Sequence, residues 1–128
     1  MATLANIVVP DNTPTNHTFY PVLRNNGANI MFVNRESVTQ AGNMSITLGL
    51  DLSSGKRLTN RGAIRFAHPF EVTQDSVVSV RDVARANTDL ILPVGMTSAE
   101  RLRFITMYNN LVALAVVKAY TSDLDPML

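Results

Sequence analysis

The stretch MSITLGLDLS, residues 44–53, decides how this chain is read. Met44, Ile46, Leu48, Leu50 and Leu52 fall on one parity; Ser45, Thr47, Gly49, Asp51 and Ser53 fall on the other. An alternation of that length describes a β-strand with one apolar and one polar face. The pattern continues outward in both directions. Downstream, Ser53-Ser-Gly-Lys56 turns the chain, and a strand over about residues 61–69 sets Ile64 and Phe66 against Arg61, Ala63, Arg65 and Ala67. Another, over about residues 83–92, sets Ala84, Ala86, Leu90 and Leu92 against Arg85, Asn87 and Asp89, and ends at Pro93 and Gly95. Upstream, a strand at residues 30–33 follows the turn signal Asn25-Asn-Gly27. Residues 5–9 and 17–22 flank a Pro10–Pro14 turn cluster and read as an amino-terminal hairpin. The connectors are too short for parallel crossovers, so the strands form an antiparallel meander. Each long strand is amphipathic, so the sheet needs an apolar cover on one side.

Beyond residue 96 the period changes. Thr97-Ser-Ala-Glu100 is a capping box, in which the Thr97 hydroxyl and the Glu100 carboxylate satisfy each other's backbone amides. Leu102, Ile105, Leu111 and Leu114 then recur near a helical period, with Phe104, Tyr108 and Val112 widening the stripe. Asn109-Asn110 is read as a bend between two helices, and residues 123–128 as a tail. This helical stripe is the expected cover of the sheet. The fold class is α+β in a single domain: hairpin and five-stranded antiparallel sheet over residues 1–96, helices over 97–122, tail over 123–128.

Composition narrows the function. The chain has 128 residues, a size that fits one domain. Charged residues make up 16%, against a usual ~25%; with 46% hydrophobic residues this implies surface hidden in an assembly. The net charge of +1 provides no global field for nucleic acid, so any electrostatic site comes from local segregation. Cysteine is absent, which excludes disulfides, thiolate metal sites and cysteine nucleophiles. The first residues do not resemble a signal peptide, and the seven-residue apolar run at 111–117 is too short to span a bilayer. A soluble protein made in a cytoplasm, without a membrane partner, is therefore expected.

No phosphate-binding loop, dinucleotide fingerprint, nucleophile elbow or zinc-protease motif occurs. No cofactor, metal or catalytic residue is expected. His17 and His68 read as packed or hydrogen-bonded histidines, and Asp123 and Asp125 as a solvated pair. Asn16-His-Thr18 and Asn43-Met-Ser45 read as chance glycosylation matches. Charge segregation is more informative. Residues 53–68 hold Lys56, Arg57, Arg61 and Arg65 and no acid. Arg61 and Arg65 share a strand parity, and their planar donors suit phosphate oxygens; Asn87 adds an amide able to read a base edge.

A hairpin, a meander with one polar face and two terminal helices, in this order and spacing, resemble the coat proteins of single-stranded RNA bacteriophages, the Q-beta-like group above all. Ser98-Ala-Glu-Arg101, Phe104, Leu111, Leu114 and Leu124-Asp-Pro-Met-Leu128 carry the resemblance at the helical end. Val8-Val-Pro-Asp-Asn12, the basic stretch at 53–65, and Arg85-Ala-Asn-Thr-Asp89 carry it upstream. The resemblance implies an intertwined homodimer in which each subunit's helices pack over its partner's sheet through Leu102, Phe104, Ile105, Leu111 and Leu114. Such dimers would assemble into an icosahedral capsid in the host bacterium's cytoplasm, with the polar sheet face toward the genomic RNA. It also implies binding of an RNA stem-loop as a translational repressor. By position, the RNA-facing residues would be Thr47, Thr59, Arg61, Arg65, Arg85, Asn87 and Asp89, with Gly49, Asp51 and Ala63 among them. Residues 73–79 would be the loop around the shell's symmetry axes. The alternative is a cellular RNA-binding module that does not assemble; an α+β enzyme ranks behind both.

Overall fold

The computed structural model describes residues 5–22, 29–56 and 58–124. Six strands, β1 (Ile7–Pro10), β2 (Asn16–Val22), β3 (Asn29–Val33), β4 (Ser45–Asp51), β5 (Thr59–Gln74) and β6 (Val77–Pro93), lie side by side in chain order. The ladders from β1 to β5 are antiparallel. Two helices follow, α1 (Ser98–Ala113) and α2 (Ala115–Ser122). The α+β arrangement of hairpin, antiparallel sheet and terminal helices is the one expected. The Asn25-Asn-Gly27 turn, Arg57 and the tail from Asp125 lie outside the described residues.

The hairpin and the larger sheet share β2. Residues 16–19 pair with β1, while residues 20–22 pair with β3. Pro21 sits opposite Phe32, Phe32 opposite Ile46, and Ile46 opposite Phe66, so Phe19, Phe32, Ile46 and Phe66 face one side. The rings of Phe19 and Phe66 approach to 6.3 Å between centroids. Three ladders separate their strands, and a flat sheet at ~4.8 Å per strand would hold them about 14 Å apart. The sheet therefore curls, in the sense that strand twist and a strand divided between two partners both favour. Curling leaves Phe19 at 1% and Phe32 at 4% exposure, with Ile7, Ile30, Met44 and Leu48 packed around them.

This changes the expected cover. Around Phe19, Phe32 and Ile46 it is the curl of the sheet, with Ile7 of the amino-terminal hairpin and Phe66 of β5 packed against them, that supplies the cover. Further along the apolar face it is open: Leu50, Leu52 and Ile64, on the same parity as Ile46 and Phe66, are 50%, 61% and 42% exposed.

β5 and β6 are longer than the sequence pattern indicated. Instead of a loop over residues 73–79, the strands run to Gln74 and from Val77. The connection is Asp75-Ser76 alone, with φ of 50° and 66°. Two successive left-handed residues are the geometry whose twist matches a two-residue hairpin. Asp tolerates it better than most residues, but neither position has the glycine that makes such turns legible.

Contacts divide the chain into two compact units, residues 1–91 and 92–128. In the second, the capping box forms as expected: Glu100 N–H donates to Thr97 Oγ1 at 3.2 Å and Thr97 N–H to Glu100 Oε1 at 3.1 Å. These bonds hold the Glu100 carboxyl below its ordinary value. The expected bend at Asn109-Asn110 is absent, since α1 runs through both; the propensity penalty of an asparagine is only about 0.5 kcal/mol. The break falls at Leu114, whose φ of −62° and ψ of 140° are extended. Nothing in the local sequence explains that position. Among the described residues no helix is long and apolar enough to cross a membrane.

Candidate nucleic-acid interface

The polar face is assembled by register. Across β4 and β5, Thr47 lies opposite Arg65, Gly49 opposite Ala63, and Asp51 opposite Arg61. Across β3 and β4, Asn29 lies opposite Gly49 and Met31 opposite Thr47. Arg61 and Arg65 thus project from the same side, two positions apart, and both are exposed. Arg85, Asn87 and Asp89 occupy alternate, exposed positions of β6. A Cβ on Gly62 would stand 3.7 Å from the Leu90 side chain. Gly62 and Leu90 therefore share the apolar side, which by alternation turns Asp89 toward Arg61 and Ala63. A cavity of about 790 Å³ opens there, bordered by Asn29, Gly49, Asp51, Arg61, Ala63 and Asp89. A Cβ on Gly49, which borders it, would stand 3.0 Å from Asn29 Oδ1, so the two strands approach closely there.

Its electrostatics are mixed, with Arg61 and Arg65 set among the acids Asp51 and Asp89. Among the described residues Arg61, Arg65 and Arg85 form no ion pair; the one arginine that does is Arg81, with Asp82 at 2.7 Å. Thr47 and Thr59 are half-buried at the foot of the face. The structure thus brings together Thr47, Arg61 and Arg65 by direct register, and Asp89 through the shared cavity. Thr59 precedes Arg61 on the same parity of β5. Such a face offers forked donors to phosphates and carboxylate acceptors to base amino groups. Stacking is poorly served: Phe32 is buried and Phe66 packs on Phe19, leaving Tyr20, 43% exposed, on this side.

The helical residues expected to pack on a partner are placed differently from a single stripe. Leu102, Phe104, Leu111 and Leu114 are exposed at 69%, 43%, 51% and 51%, and Ile105 is half-buried. Leu102 and Leu111 are nine residues apart on one unbroken helix, which at about 100° per residue sets them on opposite sides. Phe104, Met107 and Leu111 share one side; Leu102 belongs to the other. Neither helix has a buried residue. A helix apolar on more than one side requires more than one neighbouring surface.

One cluster had no signal in the sequence. His17, at the start of β2, lies with Nε2 2.8 Å from Asp11 Oδ2 and Nδ1 2.7 Å from Glu36 Oε2. Asp11 Oδ1 also accepts from the Thr13 and Thr15 amides and the Thr13 hydroxyl. The Thr13 bonds, together with His17, hold the Asp11 carboxyl well below the usual carboxylate range. Asp11, then Glu36, raises the His17 imidazole above its ordinary value of 6.5. His17 in turn lowers Glu36. The partners lie 6 and 19 residues away, so no local pattern announces them. His68 differs: its Nδ1 meets the Pro69 carbonyl at 2.9 Å and its ring stacks on Phe70 at 4.2 Å. No cluster of His, Asp and Glu among the described residues is arranged to hold a metal ion.

Comparison with known proteins gives a consistent result. A family model described as levivirus coat protein matches residues 2–127. No curated protein sequence matches the chain. Among solved structures, the virus-like particle of Beihai levi-like virus 21 is similar at a TM-score of 0.90, with 20% identity over 99% of both chains. The virus-like particle of bacteriophage NT-214 is similar at 0.86, with 22% identity over 99% of this chain and 100% of that one. The capsid protein of bacteriophage GA is similar at 0.75, with 23% identity over 95% and 96%. At these identities the structures establish the shared fold, and the family match spans nearly the whole sequence.

Proposed function

We propose a function for this chain, which belongs to the levivirus coat protein family, in three linked parts. Membership makes it a structural coat protein rather than an enzyme. The first part is self-association: two copies pair and the apolar arms Leu102–Phe104–Ile105 and Leu111–Leu114 of each bury against the other. The second is assembly of these dimers into an icosahedral shell, the virion capsid, in the bacterial cytoplasm. The third is RNA: the face built by Thr47, Thr59, Arg61, Arg65, Arg85, Asn87 and Asp89 packages the single-stranded genome and binds a stem-loop as translational repressor.

The observation that carries the reading is the placing of Arg61 and Arg65 on one exposed face, in register with Thr47 and Asp51 and without carboxylate partners among the described residues. It is supported by similarity to chains that form virus-like particles and by the bare apolar residues of both helices, since obligate interfaces are richer in apolar surface than ordinary ones. A face with free guanidiniums and little aromatic surface favours backbone contacts over stacking.

The test is a purified particle and its RNA. Expressed protein should elute at megadalton mass with closed shells in electron micrographs. The double substitution Arg61→Ala and Arg65→Ala should leave shells intact, lower their RNA content, and flatten the salt dependence of binding by roughly two units of log–log slope. A stable 14.0 kDa species in the wild type would sink the assembly; an unchanged RNA content in the variant would sink the role of this face.

A further inference from the structure

The Asp11–His17–Glu36 cluster joins parts of the chain that have no ladder between them. Asp11 belongs to the β1–β2 turn, where its own N–H donates to the Thr15 carbonyl at 2.9 Å. Glu36 belongs to the β3–β4 connection, which is itself anchored. The buried Asn34 donates through Nδ2 to the Thr18 carbonyl at 2.9 Å and accepts the Glu36 N–H at 3.1 Å. Ser37 Oγ donates to Glu71 on β5. The turn is thus fastened by His17 to a rigid support.

Proton inventory decides the state of that fastening. Two ionised carboxylates are acceptors only, so both imidazole nitrogens must donate, and only the cation has two N–H groups. The neutral ring has one N–H and one lone pair, and whichever nitrogen loses its proton then faces a carboxylate oxygen at under 3 Å. One of the two bonds must break.

We infer that His17 is a proton-operated clasp: as a cation it pins the amino-terminal hairpin over the aromatic groove of Phe19, Phe66 and Phe70, and its deprotonation in alkali frees the hairpin tip. The groove is a space of about 490 Å³ bordered also by Val9, Pro10 and His68. The direction follows from linkage. A group raised on folding, as His17 is, contributes fully below its unfolded value of 6.5 and loses that contribution as pH rises through the higher folded one. Glu36 and Asp11 are lowered, so they contribute above the ordinary carboxylate range and fail only in acid. The clasp is complete between the two limits. The other charged or titratable groups nearby do not take over its role. His68 borders the groove but is held by Pro69, Glu71 is engaged with Ser37, and Arg35 is exposed beside Glu36. The inference concerns the fold of each subunit and is independent of RNA binding.

Limited proteolysis of the full-length particle tests it, with cleavage in residues 11–16 followed by mass spectrometry at pH 6 and pH 9. Rates are normalised to a peptide substrate at each pH. Wild type should be cut about threefold faster or more at pH 9 than at pH 6. His17→Gln should be cut quickly at both. Glu36→Gln supplies an amide N–H to the lone pair of neutral His17, so it should stay protected at pH 9. Equal wild-type rates at the two pH values, or the wild-type pH response surviving in His17→Gln, would overturn the clasp. So would alkaline cleavage of Glu36→Gln as fast as wild type. Should His17→Gln fail to fold, the wild-type ratio and Glu36→Gln still decide.

Discussion

The two units of this subunit differ in what they need. The sheet unit, residues 1–91, contains Phe19, Phe32 and Ile46 in a core covered by its own curl. The helical unit, residues 92–128, has a well-formed cap and regular hydrogen bonding yet buries none of its helical residues. Local rules are satisfied in both; tertiary burial is satisfied in only one. Short helices draw most of their stability from packing an apolar face, so the second unit is a structure in want of a neighbour. The difference teaches that good capping and good periodicity fix where a helix begins and not whether the chain alone can hold it.

Substitutions break the comparison in different ways. The largest effect is expected from Leu111→Asp. In an isolated subunit this position is half open to water and the change is mild, but in the proposed dimer it buries an unpaired carboxylate twice, at several kcal/mol each. Particles and dimers should disappear in analytical ultracentrifugation while the β-signal in circular dichroism persists. A normal sedimentation profile would show that this side of α1 faces solvent. Phe19→Ala should act in the opposite sense. It empties the core of the sheet unit at a cost of about 3–5 kcal/mol, and lowers the thermal midpoint at every protein concentration. A midpoint shift that vanished at high concentration would mean that the sheet too depends on association. Thr97→Ala is the smallest, about 1 kcal/mol from the lost helix cap. It should reduce helical ellipticity on mild heating before the β-signal changes; simultaneous loss of both would show the units to be one cooperative body.

Legibility in the sequence followed the range of the interactions. The alternation of residues 44–53 is a property of one strand, and it placed Thr47 on the same side as Arg61 and Arg65 once the β4–β5 register was known. Thr97 and Glu100 are three residues apart, so their reciprocal bonds were readable as well. The curl that brings Phe19 to Phe66 depends on twist accumulated over several ladders, and no window of sequence contains it. His17 found Glu36 for the same reason, through a fold and not a motif. The Asp75-Ser76 turn was hidden because its residues do not advertise a left-handed backbone. At the polar face, the residue types were legible, but the close approach of Asn29 to Gly49 depends on the β3–β4 register, which no single stretch of sequence contains.

The division of β2 between two neighbours carries a consequence for how mispairing is avoided. One half of that segment is keyed to β1 and the other half to β3. A one-residue shift of β2 against both neighbours would turn Phe19 and Pro21 outward together. The shared strand thus couples the facing of the two parts: because its alternation runs through the join, β2 cannot turn its residues the wrong way toward one neighbour and the right way toward the other.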